Sequence, residues 1–319
     1  MSTPTRIVID TDPGIDDALA IMLALASPEL EVLALTTVGG NTGLGNTTEN
    51  ALRLLHLLGR DDILVGAGAD VPLVRRDSRP DEATHGADGL GGVRLEPAPR
   101  GADARGAVEM LVDVIEGSDR PVTLVALGPL TNVAALVAAR PDVAARLERI
   151  VLMGGGARVL GNMTPAAEFN IWFDPEAAAR VFAAGVPITM VGLDVTHQAT
   201  TAPGDWDALR TDDAGPVARA VLGMVDHYTR FYLETVGTEL TAQHDSLAVA
   251  VVVRPDLVTT RPAYVDVEYT GALTRGMTVV DLDDVAKHSP TADVALEVDA
   301  AAFGELLVSR VVELDRSLR

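Results

Sequence analysis

Arg6-Ile-Val-Ile-Asp-Thr-Asp-Pro-Gly-Ile-Asp-Asp-Ala-Leu-Ala20 sends an apolar strand straight into four carboxylates, Asp10, Asp12, Asp16 and Asp17. Side chains alternate along a strand, so Asp10 and Asp12 share one face. Pro13-Gly14 then turns the chain into a helix beginning near Asp16-Asp17. The acids therefore converge where strand meets helix, and in open α/β sheets the ligand crevice lies outside the carboxyl ends of the strands. Clustered Asp oxygens suit a hard cation, Ca²⁺ or Mg²⁺. A solvated acidic turn, with Asp16 and Asp17 favoured by the helix dipole, would explain two acids but not four.

Working outward, strand-like runs alternate with Ala/Leu-rich helical patterns: Arg6 to Asp10, Asp16 to Ala26, Glu31 to Val38, Thr47 to Leu58, Ile63 to Val65. The alternation resumes from Arg105 to Glu116 and continues through Val122 to Leu127, Thr131 to Ala139, Arg149 to Met153, Pro175 to Ala184 and Pro187 to Leu193. This βαβ punctuation predicts an α/β fold, a single large doubly wound, mostly parallel sheet with helices on both faces. Ala263 to Tyr269, Met277 to Asp281 and Val294 to Val298 read as further strands, closed by a helix from Ala300 to about Leu314. Asp174 and Pro175 mark a helix start as N-cap and first helical residue. Pro72 to Gly101, Gly154 to Phe173 and Gln198 to Gly215 are too polar and Gly/Pro-rich for the layers, and loops of that length tend to be functional or disordered. With no repeat or linker, residues 1–319 read as one domain.

The 46 acidic residues outnumber 25 basic ones, for a net charge of −21. Such a surface argues against nucleic acid and anionic membranes as partners. The only lysine is Lys287. A phosphorylated ligand usually needs Lys or Arg beside a backbone cradle, so a neutral polyol suits this chain better than a nucleotide. Cysteine is absent, which excludes disulfides, thiolate metal sites and a Cys nucleophile. No apolar h-region precedes the first strand and no run approaches the ~20 residues of a membrane span, so the expectation is a cytoplasmic protein.

Four further constellations carry polar chemistry. Val38-Gly-Gly-Asn41 ends a strand with Asn41 at the same sheet edge, where an Asn serves either turn geometry or a ligand. In Val122-Thr-Leu-Val-Ala-Leu-Gly-Pro-Leu-Thr-Asn132, Thr131 or Asn132 is placed to cap the next helix. Pro129 offers no N–H to a ladder, so the carbonyl of Leu127 could face the crevice. Gly161-Asn-Met-Thr-Pro-Ala-Ala-Glu-Phe-Asn170 offers two amides and a carboxylate, able to bond vicinal hydroxyls or their own backbone. His244-Asp245 opens the apolar run Leu247 to Val253; alone, His244 reads more readily as a structural histidine. An HD-type phosphohydrolase would be all-helical, which this chain is not. Tyr228 and Tyr232, four apart with Phe231 beside them, share a helix face that is either core or pocket. His56, His197, His227 and His288 read as surface or capping residues.

Asp10-Thr-Asp-Pro-Gly-Ile-Asp-Asp17 resembles the signature of the inosine-uridine preferring nucleoside hydrolases, and the later motifs follow in that family's order over nearly the whole chain. The resemblance implies hydrolysis of the N-glycosidic bond of ribonucleosides, with Ca²⁺ held by Asp12, Asp17, the Leu127 carbonyl and Asp245. The family often has Thr where Leu127 stands, a departure harmless to a carbonyl ligand. By the same resemblance Asp12 is the general base and His244 the leaving-group acid. Asp16, Asn41, Asn162, Glu168 and Asn170 hold the sugar, and Asp10 supports the others from behind. Tyr228 and Tyr232 match tyrosines near the base in protozoan nonspecific members, and His85 resembles a pocket His of some members. Related enzymes are commonly dimers or tetramers. Two rivals stand beside this reading. A haloacid dehalogenase-type phosphatase also starts with strand-Asp-x-Asp but expects a later Lys, and Lys287 lies outside any strand-end motif. A non-catalytic nucleoside-binding protein would need the sugar ligands but neither Asp12 nor His244.

Overall fold

A computed structural model describes residues 3–75 and 78–319, so positions 76 and 77 of the expected Pro72 to Gly101 loop lie outside the described residues. The strands are β1 (Thr5–Thr11), β2 (Leu30–Thr37), β3 (Leu64–Ala67), β4 (Val122–Ala126), β5 (Leu147–Met153), β6 (Ile188–Val191), β7 (Thr200–Thr201), β8 (Thr241–Ala242), β9 (Val258–Glu268), β10 (Met277–Asp281) and β11 (Ala292–Val298). Among the described residues nine of them form one sheet in the order β10-β9-β11-β6-β5-β4-β1-β2-β3. From β11 through β6, β5, β4, β1 and β2 to β3 every pairing is parallel, while β9 pairs antiparallel with both β10 and β11. The mostly parallel, doubly wound architecture is as expected. The chain runs from β1 outward to β3, then returns to β4 on the other side of β1. The β1/β4 boundary is thus a topological switch point, where such sheets open a crevice.

Central strands covered on both faces read as continuous apolar runs. In β1, Ile7, Val8 and Ile9 are fully buried; Ile7 and Ile9 join the core beneath the helices Ile15–Ala26 and Pro216–Thr235, and Val8 joins the opposite core beneath Ala107–Gly117 and Thr131–Ala139. The helices Ile15–Ala26 and His244–Val253 are buried almost all round and pack on one another. A helix without a polar face has to lie inside the molecule. Burying these two brings their first-turn acids, Asp16 and Asp17 on one and Asp245 on the other, into the interior together.

Three details differ from the sequence expectation. The helix Thr131–Ala139 has Leu130 at its N-cap with no side-chain cap. Instead Thr131 Oγ1 donates to Asp174 Oδ2, and Asn132 reaches across the strand ends. The long loops hold short elements, including the helices Glu82–His85 and Phe169–Phe173 and the 3₁₀ turn Pro203–Leu209. β9 begins at Val258, five residues before the expected Ala263, because its first half pairs with β11.

Candidate active site

A cavity of about 620 Å³ opens at the carboxyl ends of β1, β2, β4, β5 and β6. Asp16 and Asp245 line it from the two buried helices, and Asn41 and Leu127 from the ends of β2 and β4. Asn162, Glu168 and Asn170 contribute the wall after β5. His85, Tyr228, Tyr232 and His244 form the opposite side. Asp10, Asp12 and Asp17 are at most 1% exposed. Among the described residues no lysine or arginine lines the cavity.

The acids are held by donors from several elements. Asp17 accepts from Gly14 N (3.0 Å), Asn41 Nδ2 (3.0 Å) and the Thr11 hydroxyl. Asp12 Oδ2 accepts from Asn41 N at 2.7 Å, and Asn41 Nδ2 also reaches the Asp12 carbonyl at 3.2 Å. Asn41 therefore ties both acids in place and has a structural task besides any ligand contact. Asp12 Oδ1 is buried without a hydrogen-bond partner among the described residues. Asp10 Oδ1 takes the Thr36 hydroxyl and Asn132 Nδ2.

Burial first, then the Asp17 charge, raises the Asp12 carboxyl well above the ordinary range and takes Asp16 up to about 8. Asp245 is raised by burial and by the charges of Asp16, Asp17 and Asp12. Asp10 is pushed up to about 6 by burial alone, its hydrogen bonds opposing. One carboxylate oxygen each from Asp16, Asp17 and Asp245 lie within 4.8 Å of one another, a set that could hold a metal ion. Asp12 stands outside that trio, drawn toward Asn41. Unpartnered and repelling carboxylate oxygens are what a hard cation satisfies, so the donor chemistry fits one.

The wall after β5 does double duty. Glu168 caps the helix Phe169–Phe173: Oε1 accepts from Asn170 N (2.9 Å), and Oε2 from Ile171 N (3.1 Å) and Gly155 N (3.0 Å). Asn170 Nδ2 donates to the Leu127 carbonyl at 2.6 Å and to Met153 O at 3.2 Å, joining the ends of β4 and β5. The Leu127 carbonyl is thus outside the β-ladder, as expected, but engaged by Asn170. Asn162 Oδ1 accepts from Phe169 N at 3.0 Å.

On the opposite side, His85 Nδ1 accepts from Ile15 N at 3.1 Å and its ring stacks on Tyr228 at 6.0 Å. Tyr228 and Tyr232 meet edge to face at 5.0 Å, and Tyr232 Oη lies 3.5 Å from His244 Nε2. Burial, with His197 and His85 adding, pushes the His244 imidazole down to about 3. A neutral imidazole offers a single N–H, so its tautomer decides what it donates to the cavity. Thr196 escaped the sequence reading, and His197, read as a surface or capping residue, is exposed and is the C-cap of the helix Leu193–Thr196. His197 lines the cavity and packs edge-on against His244 at 5.8 Å, and Thr196 Oγ1 lies 2.8 Å from His244 Nδ1. The signal was positional: the short helix Leu193–Thr196 follows β6 at the same sheet edge as the recognised motifs.

A family model described as inosine-uridine preferring nucleoside hydrolase matches residues 7–305. The chain is 45% identical over 308 residues to the pyrimidine-specific ribonucleoside hydrolase RihA of Klebsiella pneumoniae (strain 342), covering 95% of this chain and 97% of that protein. It is 47% identical over 313 residues to RihA of Shewanella sp. (strain ANA-3), covering 97% and 96%. Among solved structures, the purine-preferring ribonucleoside hydrolase from Gardnerella vaginalis superposes with a TM-score of 0.93 at 33% identity, covering 98% of this chain and 100% of that one.

Proposed function

The chain belongs to the inosine-uridine preferring nucleoside hydrolase family, and from that premise we propose how its residues cleave the N-glycosidic bond of a ribonucleoside to free base and ribose. The observation that carries the reading is the clustering of buried Asp12 and Asp17 behind Asp16 and Asp245, which line a cavity whose far wall is Asn162, Glu168 and Asn170. Asp17 and Asp245, joined by Asp12 and the Leu127 carbonyl as these give up their contacts with Asn41 and Asn170, would hold a divalent cation, Ca²⁺ in this reading, which when bound supplies positive charge for ribose hydroxyls and makes a water easier to deprotonate.

Asp12 Oδ1, buried and unpartnered, takes the proton of the attacking water. Asp16, Asn162, Glu168 and Asn170 grip the ribose hydroxyls, with Asn41 orienting the acids behind them. As the C1′–N bond breaks, positive charge grows on the ribosyl ring, and the surrounding carboxylates favour that state over the neutral substrate. His244 donates to the departing base, while His85, Tyr228 and Tyr232 frame it. Asp10 orients the strand end from behind.

The absence of lysine and arginine from the lining, among the described residues, favours a neutral nucleoside and disfavours the phosphatase alternative. The relatives at 45% and 47% identity carry a pyrimidine-specific name and the structural neighbour at 33% a purine-preferring one, so pyrimidine ribonucleosides are the first substrates to assay. The same reading takes residues 1–319 as one domain of a cytoplasmic homo-oligomer, a dimer or tetramer. Among the described residues no helix is long and apolar enough to cross a membrane, and the net charge of −21 disfavours nucleic acid.

The test compares uridine with p-nitrophenyl riboside, whose leaving group departs as a stable anion. General acid catalysis is typically worth about 10²- to 10⁴-fold. His244→Ala should lower kcat on uridine by that order and spare p-nitrophenyl riboside, whereas Asp12→Asn should damage both. Equal losses on both substrates for His244→Ala would remove His244 from the leaving-group role. No free ribose from any ribonucleoside in a panel, with Ca²⁺ present, would favour a binding protein instead.

A further inference from the structure

We propose that Thr196 is a positioning residue that fixes the tautomer of His244, keeping Nδ1 as an acceptor so that the Nε2–H faces the departing base. The inference rests on the reading of His244 as donor to the leaving group. Thr196 ends the helix Leu193–Thr196 directly after β6 and is fully buried, with its backbone N–H bonded to Gly192 O at 3.1 Å. Its Oγ1 stands 2.8 Å from His244 Nδ1, the single partner of that hydroxyl among the described residues.

A threonine hydroxyl has one proton to place. Given to Nδ1, it satisfies both groups and puts the imidazole proton on Nε2. The reverse arrangement, Nδ1–H to Oγ1, strands the hydroxyl proton in the interior without an acceptor, which buried polar groups rarely tolerate. The pairing is also framed from both sides. Gln243 N donates to Ala199 O at 2.8 Å, and β7 pairs with β8 through Thr200 opposite Ala242 and Thr201 opposite Thr241. The segment just after Thr196 is thereby locked to the segment just before His244. With Nδ1 engaged by the wall, Nε2 is the nitrogen left to the cavity, 3.5 Å from Tyr232 Oη. His197 packs edge-on against the His244 ring at 5.8 Å.

The experiment uses the Ca²⁺-loaded full chain, with Thr196→Val to remove the hydroxyl and Thr196→Ser to restore it. Side-chain ¹⁵N NMR of the wild type, assigned against His244→Ala, should show the proton of His244 on Nε2. Thr196→Val should lower kcat on uridine about 10- to 100-fold, a part of the full acid effect, with KM and p-nitrophenyl riboside turnover within about twofold of wild type. Thr196→Ser should recover most of the loss. A wild-type proton on Nδ1, or a Thr196→Val loss equal on both substrates, or no loss at all, overturns the proposal. If Thr196→Val does not fold, the wild-type tautomer alone decides. Leaving-group dependence in His244→Ala without it in Thr196→Val refutes only the Thr196 assignment; its absence in His244→Ala refutes the parent reading.

Discussion

The Asp12 carboxylate is clamped between two backbones: a Cβ added to Gly40 would lie 2.0 Å from its Oδ2, and one added to Gly128 2.3 Å from its Oδ1. No side chain fits at either glycine without displacing the acid, so the sequence leaves both positions bare. Asn132 supports the neighbouring acid from a distance. Its Nδ2 donates to Asp10 Oδ1 at 2.8 Å and to Thr37 O at 2.9 Å, and its Oδ1 accepts from Ala69 N at 2.9 Å. One buried amide thus joins the ends of β1 and β2 to the loop after β3. Each buried polar group left unsatisfied costs about 1–3 kcal/mol. Asn132→Ala strips partners from three groups at once and should destabilise the fold by about 2–4 kcal/mol in urea unfolding, on that same scale. A loss under about 0.5 kcal/mol, the range of a neutral surface change, would mean water replaces the amide at no penalty.

At the scale of elements, the buried helix that carries Asp16 and Asp17 was legible because a strand-end acid cluster followed by Ala/Leu periodicity is a local pattern, whereas the helix that opens with Asp245 showed only as an apolar run. The parallel strands were legible too, their short β-branched runs bounded by turn residues and alternating with helical patterns. What escaped were features defined by partners far away in the chain. Asn132 looked like a cap because it follows Gly-Pro, yet its acceptors are 122 and 95 residues distant. Thr196 carries no local motif and meets His244, 48 residues on, where β7 pairs with β8. Glu168 lines the cavity, but its work as a helix cap could not be foreseen without Gly155, which it holds at 3.0 Å. That cap gives a testable separation. Glu168→Gln keeps the shape but turns one oxygen into an NH₂ facing backbone donors, leaving at least one N–H unpaired. The amide oxygen should stay with Gly155 N and Ile171 N, the two-donor side, so the variant should show faster amide exchange at Asn170 together with weaker ribose binding, seen as a raised KM. Raised KM with unchanged exchange would mean Glu168 serves the sugar alone.

The molecule as a whole carries −21 charges and still buries Asp10, Asp12, Asp16, Asp17 and Asp245 side by side. Taking even one carboxylate out of water costs several kcal/mol unless a proton or a cation compensates. Without metal the compensation is a proton, which is why Asp16 rises to about 8 and Asp10 to about 6 against an ordinary value of 3.8. The sign of the resulting pH dependence follows directly. Between about pH 4 and pH 8 the unfolded chain has released these protons while the folded chain keeps them, so raising the pH through that window favours unfolding. A bound cation takes over the protons' task, and its affinity grows with pH because binding displaces them. Chelator-treated protein should therefore melt at a Tm lower at pH 8 than at pH 5.5 by about 5 °C or more. Ca²⁺ should raise Tm at pH 8 much more than at pH 5.5 and restore the activity that the chelator removes. A metal-free Tm that climbs from pH 5.5 to pH 8, or a Tm indifferent to Ca²⁺ at both, would mean that the buried acids are balanced by something other than a cation.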